Sequence, residues 1–215
     1  MTIPTVIETA HGPLHLPVYC PDATRGVVRT VDSHDLEVCG VQGLVVNAFH
    51  LSTRPGAGLI KHAGGIHRFM GWRRPIASDS GGFQLMSMIR ENPRYGTITK
   101  RGVHFTDLDG NRKKTMFTPE SSIRLQFDLG NYLVICLDDC DSPDASPQEV
   151  EAAVERTIHW AERCRVEFDR QIEIRGQRDG ARPGPRPLLF GVVQGGYDRE
   201  KRARCTQALL PLGFD

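Results

Sequence analysis

Five short apolar runs, each closing on a polar residue or a glycine, constrain this chain more than any other feature. "HLPVYCP" leads to Asp22, and "GLVVNAFH" carries Leu44-Val45-Val46 into Asn47 and His50. "RPIASD" closes on Asp79, and "NYLVICLDDCD" runs from Tyr132 to Leu137 and closes on Asp138-Asp139. "PLLFGVVQGG" closes on Gln194-Gly195-Gly196. Apolar runs without polar alternation suit strands covered on both faces, as in a parallel sheet. Helical patterns stand between them. Thr118, Pro119 and Gly130 supply a cap, a first-turn proline and a stop for "TPESSIRLQFDLG". Ser146 and Glu149 have capping-box spacing ahead of one apolar stripe, Val150, Ala153, Val154, Ile158, Ala161, Cys164 and Phe168. A last amphipathic segment covers about residues 198–210. The alternation predicts an α/β fold with a parallel sheet. Polar residues at successive strand ends suit the active face of a barrel or the ligand crevice of an open sheet.

Two segments interrupt this pattern. "YGTITKRGVHFTDLDGNRKKTMF" predicts a β-hairpin insertion turning at Asp109-Gly110. Residues 170–187, rich in Arg, Gly and Pro, predict a surface loop.

Composition narrows the function classes. The chain has 215 residues, a formal net charge of +1, 39% apolar and 25% charged residues, enough for one sizeable core. The charge balance argues against a strongly basic nucleic-acid module and leaves room for a local basic patch. No run approaches the ~18 apolar residues of a membrane span. The N-terminus lacks a basic segment followed by an apolar one, so a cytoplasmic location is expected. Cys20, Cys39, Cys136, Cys140, Cys164 and Cys205 show no zinc-ligand spacing and read as reduced, mostly packing residues. His50 and His67 read as structural hydrogen-bonding residues ahead of RNA contacts, and Trp72 and Trp160 as core ahead of base-stacking platforms.

The stretch "RPIASDSGGFQLMS" has two readings. One is a strand end followed by a tight turn, because glycine accepts backbone angles that other residues resist. The other is a site where backbone comes close to a flat ligand while Asp79 exchanges a proton with it.

Lined up in order, the strand ends resemble the tRNA-guanine transglycosylase (queuine tRNA-ribosyltransferase) family. The residues that carry the resemblance are "NAFHLSTRPG", "GIHRFMGWRRPIASDSGGFQ", "ITKRGVHF", "TPESSIRLQ", "LDDC" and "FGVVQGG", spread from Asn47 to Gly196. The resemblance implies a (β/α)8 TIM-type barrel. It also implies an exchange of a guanine in tRNA for queuine or a 7-deazaguanine precursor, and it favours the second reading of the Asp79 stretch.

Breaking the ribose C1′–guanine N9 bond builds positive charge on the sugar and negative charge on the base. The reaction therefore needs one carboxylate to trap the sugar and an acid/base group for the purine. The nucleotide must first leave its stack and be read on its Watson–Crick edge. By the resemblance, Asp79 is the proton acceptor, and Ser80, Gly81 and Gly82 form a close backbone wall. Phe83 stacks on the base where some relatives have tyrosine. Asp138 takes the donor edge of guanine and Gln194 its O6, with Gly195 and Gly196 allowing backbone approach.

A complete barrel of this kind takes ~250 residues, and about five of its eight strand units are recognisable here. The resemblance places the aspartate nucleophile and the cysteine-rich zinc site further along, with no matching residues in this chain. Residues 1–215 are thus expected to be the N-terminal part of the barrel domain, without the C-terminal part and its zinc subdomain. The chain is expected to hold no cofactor of its own, zinc being implied only for a full-length enzyme. A complementing C-terminal chain, a non-catalytic guanine- or RNA-binding relative, and a DNA-directed transglycosylase are the alternatives. Expected partners are tRNA, the guanine or 7-deazaguanine base and a second copy of the chain, with no membrane.

Overall fold

A computed structural model describes residues 4–106, 114–179 and 186–215. The chain opens with an antiparallel hairpin, β1 (Val6–Thr9) and β2 (Gly12–His15). Helix α1 (Ser33–Val38) precedes β3 (Leu44–Asn47), and three short helices, α2 (Ala48–Leu51), α3 (Ala57–His62) and α4 (Ile66–Met70), lead to β4 (Ile76–Asp79). Helix α5 (Gly82–Glu91) is followed by an antiparallel trio, β5 (Gly96–Thr99), β6 (Gly102–Thr106) and β7 (Lys114–Phe117). Then come α6 (Pro119–Leu129), β8 (Leu133–Ile135), α7 (Pro147–Asp179), β9 (Leu188–Phe190) and α8 (Arg199–Leu209).

The expected parallel sheet is present, in the order β3-β4-β8-β9 with every pair parallel. Successive strands are neighbours, and helices cross between them. All four strand ends therefore fall on one rim. The run ending at Asp22 departs from expectation and makes only a single parallel bridge to Val45. Pro17 and Pro21 remove two backbone donors from that run, so it cannot sustain a ladder. The insertion is a three-stranded antiparallel sheet rather than a lone hairpin, and its expected turn at Asp109-Gly110 lies outside the described residues.

Helix boundaries follow the local chemistry. The Ser121 amide donates to Thr118 Oγ1 at 3.2 Å, and Gly130 ends α6 with φ +81°. The Glu149 amide donates to Ser146 Oγ at 3.3 Å while Glu149 Oε2 accepts from the Ser146 amide at 2.8 Å, the expected reciprocal cap. Residues 170–179, expected in a loop, instead continue α7. Arg170 and Gln171 each donate to Glu167 at 2.9 Å, three- and four-residue spacings that support a helix, and Arg175 reaches Asp128 of α6 at 3.0 Å. Of the rest of that expected loop, 180–185 lies outside the described residues, whereas Arg186 and Pro187 fall outside any helix or strand, as expected, and Arg186 pairs with Asp215.

The helices cover one face of the sheet, where the register collects Leu44, Val46, Ile76, Ser78, Val134 and Leu189, all fully buried. The expectation of strands buried on both faces is not met, because Val45, Ala77, Ile135, Leu188 and Phe190 on the opposite face are only partly buried. Leu85 and Met86 of α5 pack with Val134, Trp160, Cys164 and Phe168, all fully buried. A second group joins Leu44 and Ile76 to Ile60, Ile66 and Trp72. Each such side chain contributes roughly 1.5–3 kcal/mol of hydrophobic stabilisation. Both tryptophans are core residues, as expected. Trp160 Nε1 donates to the Lys100 carbonyl at 2.9 Å, and Trp72 Nε1 to that of Pro75 at 3.4 Å. Among the described residues no helix is long and apolar enough to cross a membrane.

Beneath the N-terminal ends of β4 and β8, His11 and His67 stack with ring centroids 3.5 Å apart and planes 6° from parallel. Tyr132 meets His11 edge-on at 5.2 Å. His67 Nε2 is buried with no hydrogen-bond partner. Burial first, then the neighbouring His11, pull the His67 pKa down to about 4, against a backbone hydrogen bond with Arg74. In the fold His67 is neutral at pH values where the unfolded chain binds a proton. Its contribution is therefore complete above pH ~6.5 and falls as the pH drops toward 4. Between pH 7 and 5 the wild type is expected to lose roughly 1–2 kcal/mol of unfolding free energy relative to His67→Gln, read by urea denaturation at each pH. Parallel pH profiles would contradict this.

Candidate active site

The rim of the parallel sheet assembles the site from the ends of β3, β4, β8 and β9. Asn47 and Asp79 are register partners at the ends of β3 and β4. Asn47 Nδ2 donates to Asp79 Oδ2 at 2.9 Å, while Asn47 Oδ1 accepts the His50 amide at 3.0 Å and caps α2. Asp79 Oδ1 accepts the Gly81 amide at 3.4 Å. Both carboxylate oxygens are thus directed by donors of fixed position.

The turn after Asp79 is as tight as its glycines suggest. Gly81 has φ +80°, and a Cβ there would stand 2.6 Å from Phe49 Cβ and 2.8 Å from the Phe49 nitrogen. A Cβ on Gly82 would stand 2.4 Å from Leu137 Cδ1. The space vacated by the two side chains is therefore filled by Phe49 and Leu137, so close backbone approach here brings protein against protein. The buried Ser80 carbonyl accepts Ser122 Oγ of α6 at 2.9 Å, and Ser80 Oγ accepts the Gly82 amide at 3.3 Å. Phe83, on the first turn of α5, is half-exposed.

Asp138 follows β8, which Gln126 of α6 holds in place. Gln126 Nε2 donates to the Ile135 carbonyl at 2.9 Å, and its Oε1 accepts the Ile135 amide at 3.0 Å. Gln194, beyond β9, donates from Nε2 to Asp138 Oδ2 at 2.6 Å. Burial raises the Asp138 pKa to about 6; the Gln194 hydrogen bond opposes this, and the charges of Asp79 and Asp139 add to it. Asp79, Asp138 and Gln194 are thereby brought together. Gly195 has φ +135°, and a Cβ there would stand 2.7 Å from the Arg202 nitrogen of α8. Gly196 has φ +52° and packs beside Asp141.

Sequence reasoning gave no role to several residues around this trio. Asn47 was visible only as a polar strand end, and its register opposite Asp79 is the missing signal. Asp139 is fully buried and pairs with Arg90 of α5 and Arg156 of α7, a tertiary cluster with no sequence spacing to betray it. His50 lines a separate cleft of about 230 Å³ among Phe49, Leu85 and Phe105. Among the described residues no group of three or more His, Cys, Asp or Glu side chains is placed to hold a metal.

The arrangement sets a carboxylate held by two donors, Asp79, beside a hydrogen-bonded acceptor–donor pair, Asp138 and Gln194. A family model described as queuine tRNA-ribosyltransferase matches residues 5–215. Proteins named queuine tRNA-ribosyltransferase are among the similar sequences. That of Halothermothrix orenii is 35% identical over 211 residues, covering 97% of this chain and 51% of the relative. That of Methylacidiphilum infernorum is 38% identical over 208 residues, covering 96% and 52%. That of Moorella thermoacetica is 37% identical over 211 residues, covering 97% and 51%. The chain spans about half the length of the relatives it matches.

Gly81→Ala is expected to cost about 2–4 kcal/mol, from positive-φ strain together with the clash at Phe49. Gly40 has φ +74° with open space around it, so Gly40→Ala should cost only about 1 kcal/mol. Equal losses for the two in chemical denaturation would show that the Phe49 contact does not constrain the turn.

Proposed function

Taking as premise that the chain belongs to the queuine tRNA-ribosyltransferase family, we propose that it supplies the base-recognition half of a tRNA-guanine transglycosylase site. The observation that carries this reading is the Asp138–Gln194 pair beside Asp79. Guanine presents two donors, N1–H and the exocyclic amine, next to one acceptor, O6. An ionised Asp138 accepts both donors, and the Gln194 amide donates to O6. Adenine presents a different edge and leaves this pair mismatched.

In this reading Asp79 exchanges a proton with the purine as the C1′–N9 bond breaks and the incoming base replaces the outgoing one. Asn47 and the Gly81 amide keep its oxygens directed at that position. Phe83 supplies an aromatic surface at the mouth, while Ser80, Gly81 and Gly82 set the tight turn that packs against Phe49 and Leu137 and so fixes Asp79 beside the base. Gly195 permits the Gln194 loop to lie against α8. Residues 1–215 are read as the N-terminal part of a (β/α)8 barrel domain in the cytoplasm, with tRNA as the macromolecular substrate and queuine or a 7-deazaguanine precursor as the incoming base. The described residues do not fit the zinc implied by the resemblance, and no step here passes through a metal.

Two measurements test this. Asp79→Asn, assayed in the polypeptide as its source makes it, is expected to keep the fold and lower incorporation of labelled guanine into tRNA by at least ~100-fold. Incorporation at the wild-type rate would overturn the role of Asp79. The affinity for 7-deazaguanine, measured by calorimetry, is expected to be level above pH 7 and to fall about tenfold per unit below pH ~6, as Asp138 takes up a proton and loses an acceptor. A flat profile from pH 8 to 5 would overturn the role of Asp138.

A further inference from the structure

Asp138 and Asp139 are adjacent carboxylates with different partners. Asp138 faces Gln194, whereas Asp139 is fully buried and accepts Arg156 Nε at 2.5 Å and a hydrogen bond from Arg90. Arg90 also donates to the Cys140 carbonyl, and the Asp139 amide donates to Thr157 Oγ1 at 3.0 Å. The segment 138–140 is therefore pinned from α5 by Arg90 and from α7 by Arg156 and Thr157. Because α5 begins immediately after the Asp79 turn, Arg90 ties the helix that follows one carboxylate to the loop that carries the other.

We infer that Arg90 and Arg156 are positioning residues that hold the Asp138 carboxylate in place and set its charge through Asp139. A buried, unpaired carboxylate is costly, and its field falls on its neighbour Asp138. Two guanidiniums offset that field. Other groups that act electrostatically with Asp138 include Asp79, Gln194 and the thiols of Cys136, Cys140 and Cys205. Arg165 acts in turn on Cys136, and Arg202 and Arg204 on Cys205, so these three guanidiniums stand in the same surroundings while Arg90 and Arg156 are the ones that pair with Asp139. Arginine suits the task because its charge persists at all relevant pH values and its planar fork can serve two acceptors, as Arg90 does.

The inference rests on the base-binding reading for its consequence but has a readout of its own. The Asp138 side-chain carboxyl is followed by carbon-13 NMR across pH 4–8, its resonance assigned by its loss in Asp138→Asn. Arg156→Gln and Arg90→Gln weaken the compensation of Asp139 and should move the Asp138 midpoint up by about half a unit or more. Asp139→Asn, which keeps the volume and removes the charge, leaves the arginines to act on Asp138 and should move it down by a similar amount. Arg156→Lys keeps the charge and should restore most of the wild-type midpoint. A purely structural role would broaden or lose the resonance without opposite displacements. Midpoints that stay put, or that move the same way in Arg156→Gln and Asp139→Asn, overturn the inference. Binding of 7-deazaguanine to the same proteins should track the midpoints. Failure of every protein, wild type included, to bind the base would count against the base reading alone, because the carboxyl titration decides this inference in either case.

Discussion

The hydrogen-bond register between β3 and β4 sets the level at which the site is built. Parallel strands exchange evenly spaced, slanted hydrogen bonds, so neighbouring chains end together when their buried runs have equal length. Here Leu44 pairs with Ile76 and Asn47 with Asp79, and a slip of one residue would turn Asp79 into the core and Ser78 toward the rim. The apolar residues on the helix-covered face prevent that slip. Site geometry is thus inherited from core packing, and the polar contacts at the rim refine a position that burial has already chosen.

Around that level the protein uses its polar side chains as struts between elements. Gln126 ties α6 to β8 through two backbone hydrogen bonds. Ser122 ties the same helix to the turn after Asp79. Arg90 and Arg156 tie α5 and α7 to the segment after β8. Each strut satisfies a buried polar group that would otherwise carry a desolvation cost, and each fixes the backbone next to a chemically important residue. The loops at the rim are consequently held from behind, by helices, and their front remains available.

Much of this was legible in the sequence, for reasons that vary with the residue. Asp79, Asp138 and Gln194 could be placed at strand ends because each closes an apolar run, and the family resemblance then singled them out, although only one face of the sheet is fully buried. The caps at Thr118 and Ser146 were legible because capping is local chemistry. Residues 170–179 were misread as loop because they were grouped with the Arg-, Gly- and Pro-rich stretch that runs on to residue 187, whereas pairing to Glu167 and Asp128 holds them in helix. The run before Asp22 looked like its fellows, yet Pro17 and Pro21 reduce it to a bridge. The partners of Asp139 come from positions 49 residues before it and 17 after it. No periodicity joins them, so only the folded chain reveals the cluster.

The raised pKa of Asp138 has a consequence for how the protein came to tolerate its own site. An acid that holds its proton more tightly when folded than when unfolded weakens the fold at neutral pH and does so less as the solution becomes acidic. The site is therefore a place where the molecule is kept away from its most stable sequence. Random substitution and selection for heat resistance alone would tend to erase it, replacing the carboxylate with a neutral amide. Persistence of Asp138 in a lineage under thermal stress would then record selection on what the carboxylate binds, separable from selection on folding.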